Sequence, residues 1–138
     1  FMIEINYWAV LVGGLIYMAI GSFWYSEAGF GKRWMQEIGK SKEALKEKCK
    51  DQMGKIMGLA AVMALVANFV IAHLVIIFAL TNFNEALEFS FWLWLGLVLP
   101  VQLGAYLWEG RGIMLVAINT SYSFVTLLIS ALLFTYWI

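Results

Sequence analysis

Four long apolar stretches take up most of this chain: Ile5–Tyr25, Lys55–Leu80, Phe89–Trp108 and Ile113–Trp137. A helix that crosses bilayer hydrocarbon needs roughly 20 mainly apolar residues, and each stretch meets that length. Apart from Lys55 at the edge of the second, His73 is the one Asp, Glu, Lys, Arg or His within them. Membrane strands would instead alternate apolar and polar residues over segments of about ten, and these runs are continuously apolar. With 63% apolar and 13% charged residues, the chain lies far from a soluble domain. The expected fold is an all-α membrane protein whose residues 1–138 form a single four-helix transmembrane domain.

Connection lengths set the arrangement. Asn82–Glu88 joins spans two and three, and Glu109–Gly112 joins spans three and four. Such short links place neighbouring helices antiparallel, which predicts an up-down-up-down bundle. Lys32, Arg33, Lys40, Lys42, Lys46, Lys48, Lys50 and Lys55 all fall in or beside the first connection, and Arg111 falls in the third. With four spans these two connections share a side. The other side holds Glu4, Glu85 and Glu88 but no Lys or Arg. The positive-inside bias then predicts a multi-pass protein of the cell membrane, with loops 26–54 and 109–112 in the cytoplasm and both termini outside.

The first apolar stretch has no basic region before it and no small-residue cleavage site after it, so it reads as a retained span rather than a removed signal. Met2, preceded by Phe1, reads as the native start. The single cysteine, Cys49, precludes an intrachain disulfide. One Cys and one His fall short of the roughly four ligands that a structural zinc takes. A formal net charge of zero gives no footing for nucleic acid, and no cofactor is implied.

The first connection carries structure of its own. Phe30, Trp34, Met35 and Ile38 recur at helical spacing with Lys32, Arg33 and Glu37 between them. That pattern predicts a short amphipathic helix in the headgroup layer. Phe30, Lys32, Arg33 and Trp34 are the candidate lipid-contact residues. After Gly39, Ser41 is suited to cap a second helix through Asp51, which reads either as a solvated charged helix or as a lipid- or partner-binding patch.

The segment Gly21-Ser22-Phe23-Trp24-Tyr25-Ser26, followed by Phe30-Gly31-Lys32 and Trp34, resembles the opening of the family known as domain of unknown function 1761. Asn6-Tyr7-Trp8-Ala9-Val10, Ala72-His73-Leu74, Trp94-Leu95-Gly96 with Pro100, and Glu109-Gly110-Arg111 with Ile118-Asn119 and Tyr122 match it in the same order. The resemblance covers almost the whole chain and implies a small four-span membrane protein without an established activity. Glu27 stands where the family commonly has Pro, so the first helix is expected to end less sharply here.

Polar groups within spans are costly and mark candidate sites. Asn68 and His73 lie in span two, Gln102 in span three, and Asn119, Tyr122, Ser123, Thr126 and Ser130 along one face of span four. At about 1.5 Å rise per residue, Asn68 sits near mid-membrane. Gln102, Asn119 and Tyr122 sit in the half toward Arg111. A polar pocket joining these four residues is the candidate site, with interhelical hydrogen bonding as the alternative. His73 lies about 140° around the helix from Asn68. It is either a neutral imidazole bonded to a neighbouring helix or a proton- or metal-linked group where copies meet.

The Ala9-Gly13-Tyr17-Gly21 and Gly96-Pro100-Gly104 stripes predict close helix packing, and Pro100 predicts a kink. Trp24, Tyr25, Trp34 and Trp108 at one boundary, and Tyr7, Trp8, Trp92, Trp94, Tyr136 and Trp137 near the other, read as aromatic belts. A cation-binding aromatic cage is the alternative.

No catalytic triad, metal-ligand cluster or paired intramembrane carboxylates are present in the pattern, so the chain does not read as an enzyme. Two functions stay open. One is a small transport or permeation protein. Four spans barely surround a pore alone, so it would act as a homo-oligomer. The other is a non-transporting membrane protein that binds lipid or a partner.

Overall fold

The computed structural model describes residues 3–137; Phe1, Ile138 and the expected start at Met2 lie outside the described residues. Seven α-helices follow one another: α1 (Tyr7–Trp24), α2 (Gly31–Ile38), α3 (Lys42–Cys49), α4 (Met53–Ile77), α5 (Phe83–Leu93), α6 (Leu99–Leu107) and α7 (Ile113–Tyr136), with no strand among the described residues. A π-helical turn, Trp94–Val98, joins α5 to α6, so that the third membrane-length helix runs without interruption from Phe83 to Leu107. Four helices are long and apolar enough to cross a bilayer. They form an antiparallel bundle, and the chain is a multi-pass membrane protein.

Local chemistry sets the helix ends. The Asn6 side chain accepts from Ala9 N at 3.2 Å and starts α1. The end of α1 is sharp, against the looser end expected from Glu27. The chain wraps back so that Phe30 N donates to Trp24 O at 2.7 Å and Gly31 N to Ser26 O at 2.8 Å. A side chain on Gly29 would lie 2.5 Å from Phe23 O, so this wrap requires glycine. Ser41 caps α3 by accepting from Ala44 N at 3.1 Å, and a turn at Lys50–Gln52 separates α3 from α4. The second span ends where Ala79 turns left-handed (φ 53°) and Leu80 N returns to Val75 O at 3.2 Å.

The third helix starts six residues before the expected Phe89, inside the stretch that read as a connection. Asn82 Oδ1 accepts from Glu85 N at 3.0 Å, and the Glu85 carboxylate accepts from Thr81 N at 2.7 Å. This reciprocal capping draws Glu85 into a first helical turn. Pro100 has no N–H to offer the Gly96 carbonyl. The widening occurs one turn earlier, where Leu99 N donates to Trp94 O across the π turn.

α7 is the hub, packing against α1, α4, α5 and α6, and α1 packs along α4. The apolar core lies at the end that holds both termini. There Ala9 and Val10 meet Ile71, Ala72 and Val75 of α4, Ala86 of α5, and Ala131 and Phe134 of α7. Ala9 and Gly13 are buried in α1, a Cβ on Gly13 would overlap Asn68 of α4, and one on Gly21 would lie 3.0 Å from the Tyr122 hydroxyl of α7. This stripe does bring helices together. The second stripe does not: no atom lies within 4 Å of where a Cβ would sit on Gly96 or Gly104. Gly96 is exposed, beside Leu97 at 66% exposure, whereas Gly104 borders an open space between α6 and α7.

Candidate functional site

The basic end of the bundle, where the first and third connections lie, is polar and aromatic rather than apolar. Trp24 ends α1 and donates from Nε1 to Ile118 O of α7 at 3.1 Å. Tyr25 follows it, and its hydroxyl donates to Asn119 Oδ1 at 2.7 Å. Two neighbouring residues of α1 are thus bonded to two neighbouring residues of α7. Tyr122 lies one turn further along α7 and is ringed by aromatics. The centroids of Tyr17 and Tyr25 are 5.9 and 5.4 Å from it at edge-on angles, and that of Trp24 is 6.4 Å away. A Cβ on Gly21 would sit 3.0 Å from the Tyr122 hydroxyl, so glycine makes room for this ring. The rings fill the centre themselves, which makes the group a packed cluster rather than an open cage for a cation.

Beside the cluster, α2 lies against α7. Its Trp34 ring packs edge-on against Tyr25 at 5.3 Å. Its Glu37 is held by Arg33 at 2.9 Å and also reaches the start of α7, where a Cβ on Gly112 would lie 2.5 Å from Glu37 Oε2. A carboxylate at that position is favoured by the exposed N–H groups and the dipole of the helix.

Two adjoining cavities open here. One of about 550 Å³ is lined by Tyr25, Trp34, Gln102, Asn119 and Tyr122 among others. The other, about 390 Å³, lies between α6 and α7 and is lined by Gln102, Gly104, Ala105, Arg111 and Asn119 among others. Arg111 and Leu115 border both. Together they form one groove, with amide and phenol groups on its inner wall and apolar side chains on its flanks.

Of the residues singled out in the spans, the structure brings Gln102, Asn119 and Tyr122 to this groove. Asn68 and His73 stand apart from it. Asn68 is fully buried; its Nδ2 donates to Ala64 O one turn back at 2.8 Å, and its Oδ1 faces Gly13 without a hydrogen-bond partner. His73 bonds along its own helix, Nδ1 to Phe69 O at 2.8 Å, with the Phe69 ring edge-on at 4.4 Å. Neither a partner on another helix nor a metal set accompanies it; among the described residues no group of three His, Cys, Asp or Glu side chains could hold a metal.

The polar face of α7 bonds to its own backbone. Thr120, Ser123, Thr126 and Thr135 each donate to the carbonyl four residues back, at 2.7, 3.0, 3.0 and 2.7 Å. Among the candidate lipid contacts, Trp34 borders the groove. Phe30 packs on Trp24 at 4.9 Å. Lys32 is exposed, and Arg33 is engaged with Glu37. Trp24 and Tyr25 are the residues that sequence reasoning placed only in an aromatic belt. The signal for their role was the distinctive Trp-Tyr-Ser segment itself.

A family profile described as "Protein of unknown function (DUF1761)" matches residues 8–135 of the chain. No curated protein and no solved structure matches it.

Proposed function

Because the chain belongs to the DUF1761 family, whose description carries no activity, we propose a function from its site: a non-transporting membrane protein that binds an amphipathic lipid in the groove between α2, α6 and α7. The observation that carries this reading is the groove's composition and place. Gln102, Asn119 and Tyr122 line a cavity of about 550 Å³ whose flanks include Trp34, Ile38 and Leu115. Amides and phenols suit the ester and hydroxyl groups of a lipid, and the apolar flanks suit its chain. In the proposed orientation the groove opens at the cytoplasmic leaflet, since all nine Lys and Arg gather at that end.

Permeation would need the polar face of α7 to continue as a wet path beyond Tyr122. Thr126, one turn further, is 1% exposed and bonded to Tyr122 O, which favours lipid binding over a solute path.

A lipid with a photoactivatable acyl chain, reconstituted with the protein in nanodiscs, tests this. Adducts are expected to concentrate on α6 and α7 around Gln102 and Asn119, and to fall in Gly104→Leu. Gly104 borders the groove, and the first added carbon there meets nothing within 4 Å. Adducts spread evenly over outward residues such as Leu15 and Met63, unchanged by Gly104→Leu, would refute the groove as a binding site. Solute flux into protein-loaded liposomes would restore the permeation reading.

A further inference from the structure

A third cavity, about 530 Å³, adjoins the groove and shares Arg111 and Leu115 with it. It lies between α2, α3 and the turn that joins α6 to α7. Lys40, Lys48 and Arg111 border it on the water side, and Trp34, Ile38 and Leu45 form its apolar walls. Lys40 follows the left-handed Gly39 (φ 70°) that ends α2, and Lys48 lies in the last turn of α3. The reversal between these helices puts both lysines on the rim of one cavity. No carboxylate pairs with either one among the described residues, whose ion pairs join Arg33 to Glu37, Lys42 to Glu27 and Arg111 to Glu109.

The one acid bordering this cavity, Glu37, is already engaged by Arg33 and by the start of α7. The proximity of Lys48 holds the Lys40 ammonium below the ordinary lysine range, as expected of two like charges that lack a counter-ion.

We infer that this three-cation pocket seats the phosphate of an anionic lipid whose glycerol and acyl portion occupy the adjoining groove. The inference rests on the lipid-binding reading and names its headgroup. Two unpaired lysines and an arginine match a phosphate ester. The continuity of the pocket with a groove flanked by Trp34, Ile38 and Leu115 points to a lipid rather than a free anion. Lys32 and Arg33, the cations that the amphipathic pattern had put forward, are not among the residues bordering this pocket.

The test uses protein reconstituted in phosphatidylcholine nanodiscs with or without phosphatidylglycerol, then released into mild detergent for native mass spectrometry. Phosphatidylglycerol is expected to be retained in preference to phosphatidylcholine. Replacing two membrane-surface cations together, as in Lys40→Gln with Lys48→Gln, is expected to weaken that retention by about 30-fold. The pair Lys46→Gln with Lys50→Gln removes the same charge from exposed positions that do not border the pocket, and should leave retention nearly unchanged.

Equal losses in the two double variants, or retention without headgroup preference, would overturn the inference while leaving the groove reading standing. Retention of no lipid of either kind would remove the groove reading with it. Inorganic phosphate at millimolar concentration is expected not to displace the lipid. Full displacement would show that the pocket takes a free anion instead.

Discussion

Gly13→Ala is the sharpest test of how α1 meets the rest of the bundle. The added methyl would overlap the Asn68 side chain, and Leu133 Cδ2 stands 3.3 Å away on another side. Asn68 has no room to yield. It is 0% exposed, and its Nδ2 is held by Ala64 O at 2.8 Å. Overpacking of this kind costs about 1–3 kcal/mol, and exchanging Gly for Ala within a helix returns at most about 1 kcal/mol. The expected net loss is about 0–2 kcal/mol against wild type, and about 1–3 kcal/mol against a Gly→Ala exchange in open space.

Asn68→Ala removes the obstacle. It also removes a buried oxygen that has no partner, which offsets part of the lost packing, so its own cost should be small. The two substitutions should therefore couple by about 1–2 kcal/mol in a double-mutant cycle. Gly58→Ala is the control: nothing lies within 4 Å of the added carbon, and stability should hold or rise. Reversible unfolding of the purified protein in mixed micelles measures all four variants. Gly13→Ala as stable as Gly58→Ala, or a cycle without coupling, would refute the close approach of α1 to α4 through Asn68.

Tyr25→Phe deletes the hydroxyl that donates to Asn119 at 2.7 Å; by the same unfolding assay it should cost about 0.6–1.7 kcal/mol, the usual range for a hydrogen bond between membrane helices. Gly112→Ala places a carbon 2.5 Å from Glu37 Oε2 and should turn that flexible carboxylate away, loosening α2 on α7 while Trp34 still packs on Tyr25. The readout is faster protease cleavage within residues 31–38, and unchanged cleavage would contradict the docking. Cysteine introduced at Asn119 should react with a water-soluble maleimide, whereas cysteine at the fully buried Asn68 should not; reaction at both would support a wet path through the bundle.

The number of spans and the grouping of Lys and Arg at one end were legible in the sequence because both follow from the length and placement of apolar and basic runs. The amphipathic α2 and the Ser41 cap were legible because their signals are local. Helix partners were not. Gly13 and Gly21 share four-residue spacing with Gly96 and Gly104, yet the first pair meets Asn68 and Tyr122 while the second meets nothing. Spacing encodes a smooth face and leaves its partner unnamed. The start of α5 was hidden for a different reason. Asn82 and Glu85 carry a capping signal, but charge near a span end reads as loop when hydropathy alone is scored. The bonds from Trp24 and Tyr25 to α7 join residues 94 positions apart, a separation that no local pattern spans. Gln102, Asn119 and Tyr122 could be placed at one depth by helix rise, which is why the sequence grouped them. Asn68, placed nearer mid-membrane, was joined to them as a fourth polar group, and its side chain faces Gly13 instead.

The groove itself follows from where α6 and α7 are tied together and where they are not. Toward mid-bundle, Trp94 Nε1 donates to Thr120 O at 2.8 Å, and its ring meets Phe124 edge-on at 5.5 Å. At the far end the turn closes, with Arg111 N donating to Ala105 O at 3.1 Å and Gly110 left-handed at φ 70°. Between these ties α6 presents Gly104 and Ala105, side chains too small to fill the gap, and the Gln102 and Asn119 amides are left bordering open space. The π turn ahead of Pro100 adds to this, because an extra residue in the turn rotates everything after it by about 100° relative to an unbroken α-helix. Without that rotation Gln102 would leave the α7 side. The polar wall of the groove therefore joins Gln102, which follows the π turn, to Asn119 and Tyr122 of α7, and Gly104 borders the cavity while Gly96, within the turn, is exposed.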